Sequence, residues 1–324
     1  MPQASPARPP QAGAQRRCLL IVNPRARGGG GDADAIAGVM RENGLVVQYA
    51  SAGGRDEMAA TIRAHAGAVD LVVVGGGDGT LNAALPGLID TGLPLGILPL
   101  GTANDLARTL GIPADPLEAA RIAATADPRP VDVGEVNGVH FFNVASIGLS
   151  VDLARELTRE MKARWGVLGY AIAGFRVLKR LRPFRADIRI GGVVHRVKSV
   201  QVGIGNGRHY GGGMTVEEDA AVDDGRLDVY SIDVRGWWEL PLLYPAFRSG
   251  RHGRWENVHV WDCTEVEVAT RRPLPVNTDG ELTTATPARF RVLPGAVRIA
   301  CPPRPGAPPC PGAVPRGGTV GGHG

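Results

Sequence analysis

Apolar and polar positions along the chain fall into two textures. From Arg17 to about Val133, short apolar runs alternate with stretches of helical spacing. "CLLIV" (18–22), "LVVQYA" (45–50), "LVVV" (71–74) and "PLGILPL" (94–100) predict four strands. Ile36, Val39 and Met40 recur at helical spacing before Gly44, and Met58 and Ile62 mark a second helix. Such alternation predicts a mainly parallel sheet covered on both faces.

After about Asp132 the period shortens to two. The pairs Ile188/Ile190, Leu227/Val229, Val266/Val268, Phe290/Val292 and Val297/Ile299 predict antiparallel strands, with turns at Gly191-Gly192 and Pro294-Gly295. "FFNVASIGLSV" predicts a further strand, and residues 152–182 a basic helical segment. The expected organisation is a leader at 1–16, an α/β domain at 17–133, a β-rich domain at 134–301 and a Pro/Gly-rich tail at 302–324, the two ends being disordered.

Composition narrows the class. No apolar run reaches the roughly 18–20 residues of a membrane span, and the first 17 residues lack the apolar core of a secretory signal. The four cysteines form no CxxC pair, so neither a disulfide framework nor a zinc site is expected, and a reducing cytoplasm is. The net charge of +4 is nearly all arginine, with lysine only at 162, 179 and 198. That suits an anionic substrate or membrane surface, and is too scattered for nucleic acid.

Candidate chemistry begins where strands end. "VVVGGGDGTLN" (72–82) runs a buried strand into glycines and then a helix. Glycine lets backbone N–H groups approach an anion, and a helix N-terminus adds partial positive charge. "NPRARGGGG" (23–31) and "PLGTANDLAR" (99–108) are two more such exits, the latter with Thr102 and Asn104 where a helix should start and Asn104 as its expected N-cap. In a parallel sheet all three lie on the C-terminal edge, where ligands bind. Neither GxxxxGK[ST] nor GxGxxG is present, so phosphate must be held by backbone and hydroxyls, with Asp78 placed for magnesium. Late in the chain, "VNTDGE" (276–281) puts Asp279 and Glu281 around a glycine turn, where both carboxylates could enter one cleft, raise each other's pKa and accept a proton.

"NPRARGGG", "GGGDGTLN", "LPLGTANDLARTLG", "NGRHYGGGM", "VDDGRLDV" and "NTDGE" follow one another as in the bacterial diacylglycerol kinase-like lipid kinases, which this chain resembles from about Arg17 to Ala300. GGDGT is shared with NAD kinases and sphingosine kinases; GTxND with the late DGE is more specific to the lipid kinases. The resemblance implies an NAD kinase/diacylglycerol kinase-like α/β domain and a β-sandwich-like C-terminal domain. It implies an ATP- and Mg-dependent transfer of phosphate to a lipid hydroxyl, of diacylglycerol or a related alcohol. ATP would be bound by Asn23, Pro24, Arg25, Ala26, Arg27, Gly28, Ser51, Gly76, Gly77, Asp78, Gly79, Thr80, Leu81, Asn82, Thr102 and Asn104. Glu281 would be the proton acceptor, supported by Asp279, with Asp78 serving the metal and phosphates; a structural magnesium would lie on Asp224 and the carbonyls of Ala221 and Arg226. The alternatives are an NAD kinase-like enzyme and a nucleotide-binding regulator without catalysis.

Three features depart from or add to the pattern. Ala83 stands where these proteins usually carry glutamate, and Pro86 should kink the helix after GGDGT. Residues 152–185 carry nine Arg/Lys against three Asp/Glu, interleaved with apolar residues such as Trp165 and Phe175. Two readings of this segment stand for a cytoplasmic enzyme: an ordinary packed helix pair with a solvated basic face, or transient docking on the inner membrane face through Arg176, Lys179 and Arg180; Trp237, Trp238 and Tyr244 are candidates for core packing or for a lipid channel. A homodimer is compatible with the sequence.

Overall fold

The computed structural model describes residues 15–22, 33–149, 151, 182–206, 209–210, 214–215, 222–233 and 258–303. The first half alternates as its periodicity predicts: β1 (Arg16–Val22), α1 (Ala33–Glu42), β2 (Leu45–Ala50), α2 (Arg55–His65), β3 (Leu71–Gly76), α3 (Asp78–Thr91), β4 (Leu95–Pro99), α4 (Asp105–Thr109) and α5 (Pro116–Thr125). The four strands pair in parallel in the order β2-β1-β3-β4. Leu19–Ile21, Val72–Val74 and Ile97 are almost entirely buried, as strands covered on both faces require.

The second half contains β5 (Pro128–Val136), β6 (Val139–Phe141), β7 (Val144–Gly148), β8 (Phe184–Ile190), β9 (Val193–Ser199), β10 (Gln201–Gly205), β11 (His209–Tyr210), β12 (Met214–Thr215), β13 (Leu227–Ile232), β14 (Val258–Cys263), β15 (Glu265–Thr270), β16 (Pro275–Thr278), β17 (Glu281–Ala285) and β18 (Ala288–Ala300). A six-stranded antiparallel sheet runs β14-β13-β10-β7-β16-β17. Its inner face, with Ile147, Val202, Ile204, Val229 and Val276, shares a core with Val266, Val268, Ile188 and Phe290 of a second antiparallel layer. Of the ten alternating residues named above, all but Ile190 are buried.

That second layer is no separate sheet. β18 pairs in parallel with β4 at Ile299–Ala300, and antiparallel with β15 and β5, so one ten-stranded sheet crosses the whole molecule. Ile299 and Val297 belong to the first core, Phe290 and Val292 to the second.

Gly191-Gly192 makes the expected two-residue hairpin, both glycines having positive φ. Pro294-Gly295 does not make a turn: β18 continues through it, with a register shift against β5 between Leu293 and Val297. Asp132 explains the difference, because its buried carboxylate accepts the Gly295 N–H at 2.7 Å and so holds the bulge in the strand. α3 runs through Pro86 and stays helical to Thr91. Among the described residues no helix is long and apolar enough to cross a membrane. The basic segment from 152 to 181 and the aromatics Trp237, Trp238 and Tyr244 lie outside the described residues.

Candidate active site

Two of the three glycine-rich exits meet at the C-terminal edge of the parallel sheet. The Leu100 N–H donates to the Gly76 carbonyl at 3.0 Å, tying the exits of β3 and β4 together. The loops then touch backbone to backbone: a Cβ on Gly101 would stand 2.4 Å from the Gly77 Cα, and one on Gly76 would stand 2.5 Å from Thr80 Oγ1. Glycine is required here because the approach leaves no room for a side chain. The first exit, Asn23 to Gly31, lies outside the described residues.

The start of α3 is open to an anion. Its N-cap, Gly77, has no side chain to offer the first-turn N–H groups, so those of Asp78 and Gly79 have no acceptor within the helix. Asp78 instead reaches sideways, and its Oδ1 accepts the Leu106 N–H of α4 at 3.1 Å. Asn104 occupies the N-cap position of α4 as expected, but its side chain does not cap. Its left-handed backbone (φ 50) turns the amide back onto its own loop, where Oδ1 accepts from Gly101 N and Nδ2 donates to the Pro99 and Gly101 carbonyls. Asn104 therefore shapes the loop, and Asp78 caps the helix. Ser51 and Thr102 are exposed just past β2 and β4, while Leu81 packs in the first core, 1% exposed. The Asn82 side chain is 1% exposed, and among the described residues neither amide atom has a hydrogen-bond partner.

The late acidic turn comes from the other end of the chain. Asp279 (φ 46) and Gly280 (φ 95) form the two-residue hairpin between β16 and β17. The expectation that both carboxylates enter one cleft fails at Asp279. Asp279 turns inward and accepts the N–H groups of Phe142, Asn143 and Val144 at 2.8–3.3 Å, fixing the entry of β7. Burial pushes its carboxyl up to about 7, with the charge of Asp78 adding and the three N–H donors opposing. Asp78, not Glu281, is thus the carboxylate that acts on it.

Glu281 is exposed and faces the glycine loop: its Oε1 lies 3.6 Å from where a Cβ on Gly79 would be. Its Oε2 accepts from Arg55 Nη2 at 2.9 Å. Arg55, the first residue of α2, was not singled out by the sequence, since nothing local links it to a turn 226 positions away. The one cue is its place at a helix N-terminus, where a cation opposes the dipole.

Asp224 precedes β13, and its Oδ1 accepts the Arg226 N–H at 3.0 Å. Ala221 lies outside the described residues, as do Gly207 and Arg208 of "NGRHYGGGM". Among the described residues no three His, Cys, Asp or Glu are grouped to share a metal; the set expected at Asp224, one carboxylate with carbonyls, is of another kind. A cavity of about 500 Å³, lined by Leu149, Phe184, Val200, Leu274, Arg182 and Arg271, opens at the far end of β7 and β16 from the Asp279–Glu281 turn.

Comparison with known proteins agrees with this arrangement. Residues 17–136 match the diacylglycerol kinase catalytic domain, and residues 143–301 the YegS C-terminal NAD kinase beta sandwich-like domain. A protein of Klebsiella pneumoniae (strain 342) named "Probable lipid kinase YegS-like" is 33% identical, over 72% of this chain and 79% of its own length. The Bacillus subtilis (strain 168) protein named "Diacylglycerol kinase" is 30% identical, over 72% and 78%. A crystal structure of a diacylglycerol kinase from Bacillus anthracis str. Sterne superposes with a TM-score of 0.73 at 29% identity, covering 89% of this chain and 98% of that one. With the glycine exits, the acidic turn and these relatives together, the chain belongs to the diacylglycerol kinase-like family of lipid kinases.

Proposed function

We propose that this lipid kinase uses ATP and magnesium to phosphorylate the hydroxyl of diacylglycerol or a related lipid alcohol, with Glu281 as proton acceptor. The observation that carries the reading is the 3.6 Å between Glu281 Oε1 and the Cβ position of Gly79, which sets a carboxylate opposite an uncapped helix N-terminus. The residues present fit a nucleotide. The N–H groups at the start of α3, the exposed Thr102 and Ser51, and the unpartnered Asn82 amide suit phosphate and ribose oxygens. Asp78 supplies a hard oxygen for magnesium. Bound ATP with its metal supplies the phosphoryl group and offsets its charge. Glu281 holds the acceptor hydroxyl and takes its proton at a carboxylate oxygen. Asp279 keeps the hairpin, and with it Glu281, in place.

Turnover is measured as label passing from γ-labelled ATP into a total lipid extract, with mass spectrometry naming the product. Glu281→Gln and Asp78→Asn, which preserve shape and the Leu106 bond, should each lower kcat by about two to four orders of magnitude. A near wild-type rate in Glu281→Gln would remove the base assignment.

A further inference from the structure

Arg55 occupies an electrostatically poor position. It is the first residue of α2, where a cation meets the positive end of the helix dipole. The Gly54 N-cap offers no side chain, and Asp56 and Glu57 follow in the first turn, Glu57 Oε2 accepting the Gly53 N–H at 2.6 Å. The acidic pair offsets the cation without using it. Among the described residues, the two hydrogen bonds of the guanidinium lie elsewhere.

Its Nη1 donates to the Asn82 carbonyl at 3.4 Å. That carbonyl is available because Pro86, four residues on, has no N–H to give it. Its Nη2 donates to Glu281 Oε2. The two carboxylate oxygens are thereby made unequal: one is held by Arg55, while the other faces Gly79. A planar guanidinium anchored at one end fixes the rotamer of what it grips at the other, which a point charge does poorly. The pair is open to solvent, 30% and 54% exposed at the two side chains, so it contributes little to folding stability.

We propose that Arg55 is a positioning residue for the acceptor-side carboxylate, holding Glu281 toward the glycine loop from an anchor that Pro86 leaves free. The proposal rests on the reading of Glu281 as proton acceptor, and the test separates the two. Arg55→Met, Arg55→Lys, Glu281→Gln and Arg55→Met/Glu281→Gln are assayed in the full chain, by label transfer from γ-labelled ATP into total lipid-extract vesicles. Arg55→Met should lower kcat about 10- to 100-fold, with the KM for ATP within about twofold. The melting temperature should move by less than about 4 °C. Arg55→Lys, with charge but no fork, should recover only part of the rate. In the Glu281→Gln background, loss of Arg55 should cost no more than about a further twofold, since its target is already disabled.

Independent, multiplicative losses would overturn the positioning role while leaving Glu281 its own. An Arg55→Met enzyme whose defect lies in the KM for ATP would make Arg55 a phosphate ligand, and one with unchanged kcat would give it no role in turnover; either overturns the proposal. A wild-type rate in Glu281→Gln would remove both readings together.

Discussion

At the scale of single residues, Asp279 shows how a side chain next to the chemistry can serve the fold instead. The turn that exposes Glu281 buries Asp279 against three N–H groups, and burial raises its pKa from an ordinary 3.8 to about 7. A carboxyl whose pKa is higher folded than unfolded binds its proton more tightly in the native state. Its contribution to stability is full below about pH 3.8 and is lost as pH rises toward 7. The stability gap between wild type and Asp279→Asn, from urea denaturation at several pH values, should narrow across that window. A gap independent of pH would show that the three donors cancel the effect of burial, and a gap that widens with pH that they outweigh it. Gly101 makes a separate case. A methyl group there would lie 2.4 Å from the Gly77 Cα, and neither partner is a flexible side chain. The loops must part, at about 1–3 kcal/mol. Gly101→Ala should therefore raise the KM for ATP by about tenfold or more, and an unchanged KM would exclude the junction of the two loops as the nucleotide site.

At the scale of elements, what was legible in the sequence was what is local. β1 to β4 announce themselves by apolar runs, those of β3 and β4 leading into glycine, and the hairpin at Gly191-Gly192 by two residues free to take positive φ. β18 was misread because Pro294-Gly295 has the composition of a turn. Its continuity depends on Asp132, 163 positions away, and on pairing with β5. Arg55 was invisible for the same reason: its partners come from α3 and from the start of β17. The inward turn of Asp279 depends on Phe142 and Asn143 before β7 and on Val144 at its start, 135–137 positions off, which no turn motif encodes. Asp132 gives the element-scale prediction. It is 4% exposed, and its two oxygens accept the N–H groups of Gly225 and Gly295, each at 2.7 Å. Asp132→Ala strands both donors and should cost about 2–4 kcal/mol in denaturant unfolding. A loss under about 1 kcal/mol would mean that β18 carries its bulge without this support.

At the scale of the molecule, the question is whether the two cores fold as one. β5 places Val131 and Val133 in the first core and Val136 in the second; β18 places Val297 and Ile299 in the first, Phe290 and Val292 in the second. A strand cannot keep half its ladder while the other half melts without exposing a buried edge, so the cores should unfold together. The arrangement also fixes the site, because Glu281 comes from the antiparallel half and the glycine loops from the parallel half, and β18 keeps them in register. Tryptophan makes this testable, since all five, at 165, 237, 238, 255 and 261, lie beyond the parallel half. Ile299 is fully buried in the first core, and Ile299→Ala should remove about 2–4 kcal/mol there. If the shared strands couple the cores, the fluorescence transition shifts by as much as the far-UV circular dichroism transition, although no tryptophan is near the substitution in sequence. A fluorescence midpoint that stays in place while the far-UV signal splits would show two independent units.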